Sequence, residues 1–215
     1  LIIRLICSIA KEIDGDPAVR DRLRVVFLED YRVTLAEMLM PAAEISEQIS
    51  LAGTEASGTG NMKMMINGAV TIGTLDGANV EMREAVGDDN IFIFGLHADQ
   101  VEKLKSGGYQ PFQIYQNNPV LKEVIDRLSR GVGGAVFPEI VASLTGAGGG
   151  YADPYMVLAD FTDYARVHEA AVQRYQSPQD WNRMSLMNIA GAARFSSDRA
   201  LRTYAEDIWK IGRIF

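Results

Sequence analysis

Cysteine and histidine are scarce in this 215-residue sequence, which holds one cysteine and two histidines. The single cysteine, Cys7, excludes a disulfide framework, and its place in an apolar run predicts a small buried side chain. Such sparing use of cysteine fits a reducing compartment. His97 and His168 lie far apart and have no cysteine or histidine near them, so the sequence gives little support for a metal site.

Basic clusters and long apolar runs are also missing. The net charge is −7, from 21 basic and 28 acidic residues, and lysine and arginine form no basic stripe. Nucleic acids and anionic membranes are therefore poor partners, and a bound anion must be held by a few backbone N–H groups and single basic residues. No apolar run approaches the ~20 residues that a membrane span needs. The composition, 47% hydrophobic and 23% charged, is that of an ordinary globular protein.

The chain opens with LIIRLICSIAKEI, without a methionine or a helix-capping residue. Apolar residues recur in it at helical spacing and predict an amphipathic helix whose apolar face carries Ile2, Leu5, Ile6, Ile9 and Ile13. Because a natural protein rarely begins in the middle of a helix, we expect this chain to be a piece of a longer one.

Three short apolar runs predict buried strands, at residues 23–28 (LRVVFL), 69–75 (AVTIGTL) and 90–94 (NIFIF). The segment EISEQIS at 44–50 is ambiguous. Helical patterns separate the runs, which predicts βαβ units and a mainly parallel sheet; these patterns lie at 33–39, 61–69 and 78–86.

From residue 99 onward the strand signal disappears, and helical patterns follow at 99–105, 119–130, 138–144, 160–175, 179–191 and 197–210. The sequence therefore predicts an α/β part over residues 1–98 and a mainly helical part over residues 99–215.

The segment EASGTGNMK at 55–63 places two glycines directly before a predicted helix. Gly58 and Gly60 allow a close backbone approach to a ligand, and a helix N-terminus offers unpaired N–H groups, as a phosphate site requires. A tight loop that only connects a strand to a helix explains the glycines equally well. The Walker loop and the dinucleotide fingerprint do not match, since the third glycine of the latter is replaced by Lys63.

Lys63 is unusual for its surroundings. We expect it in the first turn of the helix, where the dipole opposes a positive charge, and among Met62, Met64 and Met65, which predict partial desolvation. Both effects disfavour the ammonium form and favour an amine nucleophile. An amine next to a phosphate site makes pyridoxal 5′-phosphate a candidate cofactor. The plain alternative is a lysine that extends into solvent.

A longer pattern resembles a known family. The segment EASGTGNMKMMINGAVTIGTLDGANVEM (55–82) is similar to the cofactor segment of the α-glucan phosphorylases, which act on glycogen, starch or maltodextrin. The similarity continues through 25–50, 90–95, 153–164 and 195–209. It implies the last portion of the C-terminal Rossmann-like domain of a two-domain glycosyltransferase of the GT-B arrangement, with a long helical C-terminal portion; residues 1–215 would all belong to that catalytic domain.

The resemblance also implies a cofactor site for pyridoxal 5′-phosphate. Lys63 matches the catalytic lysine to which the cofactor is attached covalently. Thr59 and Gly60 match positions whose backbone N–H groups bind the cofactor phosphate, and Tyr31 matches a tyrosine beside the cofactor.

For the substrate, the resemblance implies that Glu55, Ser57 and Gly58 hold hydroxyl groups of the glucosyl unit at the cleavage point. The implied reaction is reversible phosphorolysis of terminal α-1,4-linked glucose by inorganic phosphate, giving glucose 1-phosphate with retention. The resemblance further implies a cytoplasmic, allosteric homodimer of carbohydrate metabolism for the full enzyme, and family members are about four times as long. The residues that grip the substrate phosphate lie upstream in the family, so we expect this chain alone to be inactive and to bind the cofactor weakly.

Three other functions stay open at this point. The loop could serve a binding module for a phosphorylated ligand. A glycosyltransferase that uses a nucleotide sugar shares the two-domain shape but needs no lysine at position 63. Paired-carboxylate glycosidase chemistry could use Glu55, Asp76 or Glu81, although their spacing does not favour it.

Overall fold

The computed structural model describes residues 1–147, 149 and 151–212, and the chain divides into two compact units. The first unit comprises Leu1–Val33 and Glu102–Thr162. The second comprises Thr34–Val101 and the described residues from Asp163 onward.

Helices account for most of the described residues. The α-helices are α1 (Ile2–Gly15), α2 (Val33–Leu39), α3 (Gly60–Ile66), α4 (Ala78–Val86), α5 (Ala98–Gly107), α6 (Pro111–Asn117), α7 (Pro119–Arg130), α8 (Pro138–Thr145), α9 (Val157–Tyr175), α10 (Pro178–Gly191) and α11 (Ser197–Thr203). A π-helical turn, Tyr204–Trp209, continues α11. None of the helices in the described ranges is long and apolar enough to cross a membrane.

The second unit contains a parallel sheet of three strands in the order β1-β2-β3. The strands are β1 (Ile45–Gln48), β2 (Val70–Thr74) and β3 (Phe92–Phe94). All five residues of β2 are buried, as expected for a central strand covered on both faces. The strands predicted at 69–75 and 90–94 and the parallel sheet are confirmed, and the ambiguous segment at 44–50 supplies β1.

Helices α3 and α4 are the crossovers that parallel strands require, from β1 to β2 and from β2 to β3. Met65 of α3 and Met82 of α4, both fully buried, meet in one apolar cluster with Ala192. A second cluster packs the sheet on α9 through Ile72, Phe94, Val167 and Ala171. The short crossover helices are thus held by core contacts, which is how helices of this length are stabilised.

The first unit is helical and confirms the amphipathic helix at the start of the chain. Leu5 and Ile9 of α1 pack against a buried cluster formed by Leu128, Val132 and Phe137. Cys7, however, is exposed, so the prediction of a buried cysteine is wrong. Residues two positions apart on a helix face different sides, and inward-facing Leu5 turns Cys7 outward.

The strand predicted at residues 23–28 is also wrong. The segment is irregular, and Leu23, Val26 and Phe27 are 50%, 62% and 40% exposed. Strands need a neighbour for their backbone hydrogen bonds, and none of the strands in the described ranges pairs with this run. Its β-branched residues therefore do not produce a strand on their own. Helix α6, which begins at a proline, was not predicted.

All three strands lie before residue 98 and the later described residues are mainly helical. Each compact unit nevertheless combines an early and a late stretch of the chain. The boundary between residues 98 and 99 therefore separates strands with helices from a mainly helical stretch. As a boundary between domains it stays a prediction.

Asp153 organises the first unit around the start of α9. Its carboxylate is 1% exposed and accepts hydrogen bonds from the Tyr109 hydroxyl (2.7 Å) and from the backbone N–H groups of Val157 and Leu158 (2.9 Å each). Burial, and then the bond to this carboxylate, raise the pKa of Tyr109. One side chain thus satisfies two N–H groups that a helix leaves unpaired at its start.

We expect Asp153→Ala to lower the free energy of unfolding of the first unit by about 2 kcal/mol, because three donors lose their acceptor. Tyr109→Phe is the matched control: it removes one of the three bonds and should lower it by about 1 kcal/mol. Urea unfolding, monitored by circular dichroism, measures the free energy of unfolding of both variants. An Asp153→Ala chain as stable as the Tyr109→Phe chain would show that the carboxylate does not hold this helix start.

Candidate active site

Two segments follow the carboxyl ends of neighbouring parallel strands and meet in the second unit. The first runs from residue 53 to 61, after β1, and is called the glycine loop below. The second is Asp76-Gly77-Ala78-Asn79, after β2, and is called the DGAN turn. Ligands of parallel α/β sheets bind at this end of the strands.

Asp76 anchors the first part of the glycine loop. Its carboxylate is 8% exposed; Oδ1 accepts a hydrogen bond from the backbone N–H of Gly53 (3.0 Å), and Oδ2 accepts from Thr54 (3.2 Å) and Glu55 (2.8 Å). A buried carboxylate needs such charge-assisted hydrogen bonds to offset its desolvation. Three consecutive backbone amides are therefore fixed to a single side chain.

Gly77 and Ala78 support the middle of the loop. The backbone N–H of Ala78 donates to the Ser57 carbonyl oxygen at 2.7 Å. Gly77 has φ +51°, and a Cβ atom there would lie 2.6 Å from the same oxygen and 3.0 Å from Cγ of Glu55. Only glycine combines this backbone conformation with so close an approach.

Asn79 supports the end of the loop. Its Nδ2 donates to the Thr74 carbonyl oxygen (3.0 Å), and its Oδ1 accepts from Nδ2 of Asn61 (3.0 Å). Oδ1 of Asn61 accepts from the Met62 N–H (2.9 Å). Both asparagines are buried, 3% exposed for Asn61 and 2% for Asn79. These bonds connect the end of β2 to the start of α3.

Lys63 is exposed and lies in the middle of the seven-residue helix α3, not in its first turn. The partial desolvation predicted from its methionine neighbours is also wrong, because Lys63 is exposed, while Met65 is buried in the core and Met62 and Met64 are half-buried. Successive residues of a helix point in different directions, so methionines that adjoin Lys63 in the sequence need not cover its side chain. Its ammonium group makes no ion pair or hydrogen bond with any residue that the structure describes.

The glycines of the loop leave room and donors in front of α3. Gly58 has φ +78°, and a Cβ atom at Gly60 would meet nothing within 4 Å in the described structure. The backbone N–H groups of Thr59 and Gly60 have no acceptor within the described ranges, as is usual where a helix begins. A ligand with anionic oxygens can accept from them.

The polar residues of the loop face solvent. Glu55 and Ser57 are both exposed, and the Ser57 hydroxyl donates a long hydrogen bond (3.3 Å) to the carbonyl oxygen of Gly58. Ser57 also borders a cleft of about 370 Å³ whose lining includes Arg194 and Arg199. Arg194 pairs with Glu84 at 2.9 Å, and Arg199 donates to the Arg194 carbonyl oxygen at 2.8 Å. Both guanidinium groups are thus partly engaged within the chain.

The predicted site residues are therefore gathered in the glycine loop and α3, with one exception. Tyr31 belongs to the first unit and is 53% exposed. Sequence reasoning missed the anchoring roles of Asp76, Asn79 and Asn61. The only signal is polar residues directly after a buried strand, and the sequence suggests Asp76 only as a carboxylate for glycosidase chemistry.

The position of Asp76 also bears on the glycosidase alternative. Its carboxylate accepts three backbone hydrogen bonds and is buried beneath the loop, so it does not face a substrate as an acid or base. Glycosidase chemistry would need a pair of carboxylates on either side of a cleavage point, and one of the three candidates is removed.

The family follows from a comparison with known proteins. A family model for carbohydrate phosphorylases matches residues 1–211. The chain belongs to the carbohydrate phosphorylase family. Glycogen phosphorylase of Synechocystis sp. and the muscle form of glycogen phosphorylase of Homo sapiens are each 49% identical to it over 215 residues, and the muscle form of Oryctolagus cuniculus is 47% identical.

Each of these alignments covers 98% of this chain and 25% of the relative. The chain thus spans about a quarter of the length of the phosphorylases that it matches. The glycine loop, the DGAN turn and Lys63 all lie inside the matched residues.

Gly77 and Gly87, at the two ends of α4, allow a matched test of the contact between loop and turn. Both have positive φ, +51° and +78°, but a Cβ atom at Gly87 would meet nothing within 4 Å in the described structure. We expect Gly87→Ala to lower the free energy of unfolding by about 1 kcal/mol through backbone strain. Gly77→Ala should cost about 1–2 kcal/mol more, because its Cβ displaces the Ser57 carbonyl group.

Urea unfolding measures this difference, and limited proteolysis shows whether the loop is released. Cleavage within residues 53–58 should become faster in Gly77→Ala and stay unchanged in Gly87→Ala. Equal effects of the two substitutions on stability and on cleavage would mean that Gly77 does not support the loop.

Proposed function

We propose that the chain is part of an α-glucan phosphorylase, which carries out reversible phosphorolysis of terminal α-1,4-linked glucose in glycogen- or starch-type glucans. Inorganic phosphate is the second substrate, and glucose 1-phosphate forms with retention. One observation carries the proposal: in a chain of the carbohydrate phosphorylase family, the segment 55–63 combines an exposed carboxylate with a lysine amine and backbone N–H groups that have no partner among the described residues.

The residues of this segment fit pyridoxal 5′-phosphate. Its aldehyde requires an accessible amine, and Lys63 is exposed and makes no ion pair with the described residues. Its phosphate requires donors and space, which Thr59 and Gly60 offer. We therefore assign covalent attachment to Lys63 and phosphate binding to the N–H groups of Thr59 and Gly60. Tyr31 is assigned to the cofactor on the family resemblance alone.

In this proposal the chemistry is divided between the cofactor and the chain. When bound, the cofactor supplies through its phosphate the group that exchanges a proton with the substrate phosphate. The chain binds and orients: Lys63 anchors the cofactor, and the loop holds the sugar. The exposed Glu55 carboxylate and the Ser57 and Gly58 positions are suited to accept from and donate to sugar hydroxyls. Glu55 is thus a binding residue here and transfers no proton.

The wider assignment rests on the family. A parallel sheet with crossover helices supports a Rossmann-like domain, and we propose that it belongs to a two-domain enzyme of the GT-B arrangement. We further propose a cytoplasmic, allosterically regulated homodimer that acts in glycogen or starch metabolism. The 215-residue chain alone should be inactive and should hold the cofactor weakly, since it spans about a quarter of its relatives.

Covalent labelling tests the assignment of Lys63. The chain is incubated with excess pyridoxal 5′-phosphate, reduced with borohydride and digested, and the labelled lysine is identified by mass spectrometry. We expect the label on Lys63 before any other lysine, because its amine is accessible and next to phosphate-binding N–H groups. Inorganic phosphate should compete with the labelling.

Lys63→Arg, which keeps the charge but cannot be labelled, should abolish this preferred labelling, whereas Lys105→Arg at another exposed lysine should leave it unchanged. Labelling that is spread evenly over surface lysines, or that persists in Lys63→Arg, would overturn the cofactor assignment.

A further inference from the structure

The glycine loop is held at separate points by consecutive residues of the DGAN turn. Resting on the function proposed above, we infer that this turn positions the two halves of the loop independently. Asp76 positions residues 53–55, called the sugar half because Glu55 is assigned to the sugar. Asn79 positions residues 59–61, called the cofactor half, which bear the cofactor donors and lead to Lys63. Neither residue is assigned contact with a ligand, so both are positioning residues.

The sugar half depends on Asp76 because three adjacent amides, from Gly53 to Glu55, donate to its two oxygens. The shortest bond, 2.8 Å, comes from Glu55 itself, which fixes the backbone of that residue while its side chain stays exposed. Asparagine at position 76 has the same shape but replaces one oxygen by an NH₂ group. That group would face a backbone donor, so at least one bond is lost.

The cofactor half depends on Asn79 through a chain of two side chains. The Asn79 side chain donates to the Thr74 carbonyl oxygen at the end of β2 and accepts a hydrogen bond from Nδ2 of Asn61. Oδ1 of Asn61 in turn accepts from the N–H of Met62, the residue before Lys63. Space for this arrangement comes from Gly73 in β2, where a Cβ atom would lie 2.6 Å from Nδ2 of Asn79.

Between the two halves the loop is held by the bond from the Ala78 N–H to the Ser57 carbonyl oxygen. None of the bonds made by Asp76 reaches Asn61, and none made by Asn79 reaches residues 53–55. Asp76 and Asn79 belong to one turn, in which the Asn79 N–H donates to the Asp76 carbonyl oxygen (3.1 Å). Their side chains, however, share no partner among the described residues, so a side-chain substitution at one should leave the side-chain bonds of the other in place. The distance between sugar and cofactor is then set by four consecutive residues that follow the buried central strand.

The experiment uses the full-length native protein that carries this chain, loaded with pyridoxal 5′-phosphate. Two binding properties are measured for each variant. Calorimetry gives the Kd for D-glucose, which carries no phosphate and so reports on the sugar half. Absorbance of the bound cofactor during dialysis gives its rate of loss, which reports on the cofactor half. The variants are Asp76→Asn and Asn79→Ala, with Asp88→Asn, an exposed aspartate at the other end of α4, as the control.

Asp76→Asn should weaken D-glucose binding about tenfold and change the rate of cofactor loss by less than about twofold. Asn79→Ala should do the reverse, with cofactor loss about tenfold faster and D-glucose affinity within about twofold. The control should change neither. A general loss of structure would move both properties together, so separation of the two effects identifies positioning.

If Asn79→Ala yields no folded protein, Asn61→Ala breaks the same bond from the side of α3; if Asp76→Asn yields none, Asp76→Ser keeps one acceptor and is measured instead. Variants that move both properties equally, or neither, overturn the inference. If the unmodified protein binds neither D-glucose nor the cofactor at Lys63, the proposed function fails, and with it the basis of the inference.

Discussion

The site depends on one buried carboxylate. Asp76 lies at the end of the central strand, nearly inaccessible to solvent, and three successive backbone amides of the glycine loop donate to it. A loop rich in glycine loses much conformational entropy when it adopts a single shape. Charge-assisted hydrogen bonds offset this loss and at the same time satisfy a charge that would be costly to bury alone. The same contacts therefore stabilise the loop and the carboxylate.

The fold explains why the anchor and the loop meet. Strands β1 and β2 run parallel and adjacent, so the segments after their carboxyl ends come together although Glu55 and Asp76 lie 21 positions apart in the sequence. Strand β2 is buried along its whole length, so the DGAN turn follows a strand that core packing holds in place. Gly73 and Gly77 remove side chains where the loop or Asn79 approaches closely. Residues proposed to bind the sugar and the cofactor thus lie on segments that follow the buried sheet of the second unit.

The sequence predicted elements whose signal is local and periodic. The amphipathic helix α1, the buried strands β2 and β3 and the parallel sheet follow from apolar spacing and crossover helices. The run 23–28 failed because strand formation depends on a partner, which a single run does not reveal. The exposure of Cys7 and of Lys63 depends on which helix face packs inward, and neighbouring methionines were a poor guide to it.

The site residues were reached through resemblance, because glycine spacing alone left a plain connecting loop as an equal alternative. What holds the loop could not be predicted, since Asp76 and Asn79 act on residues 18 to 23 positions away. Amide hydrogen exchange measures the central interaction most directly. In the cofactor-free chain, the N–H groups of Gly53, Thr54 and Glu55 should exchange on the order of 100-fold more slowly than those of Thr59 and Gly60, which have no acceptor among the described residues. Equally fast exchange at all five positions would contradict the role of Asp76.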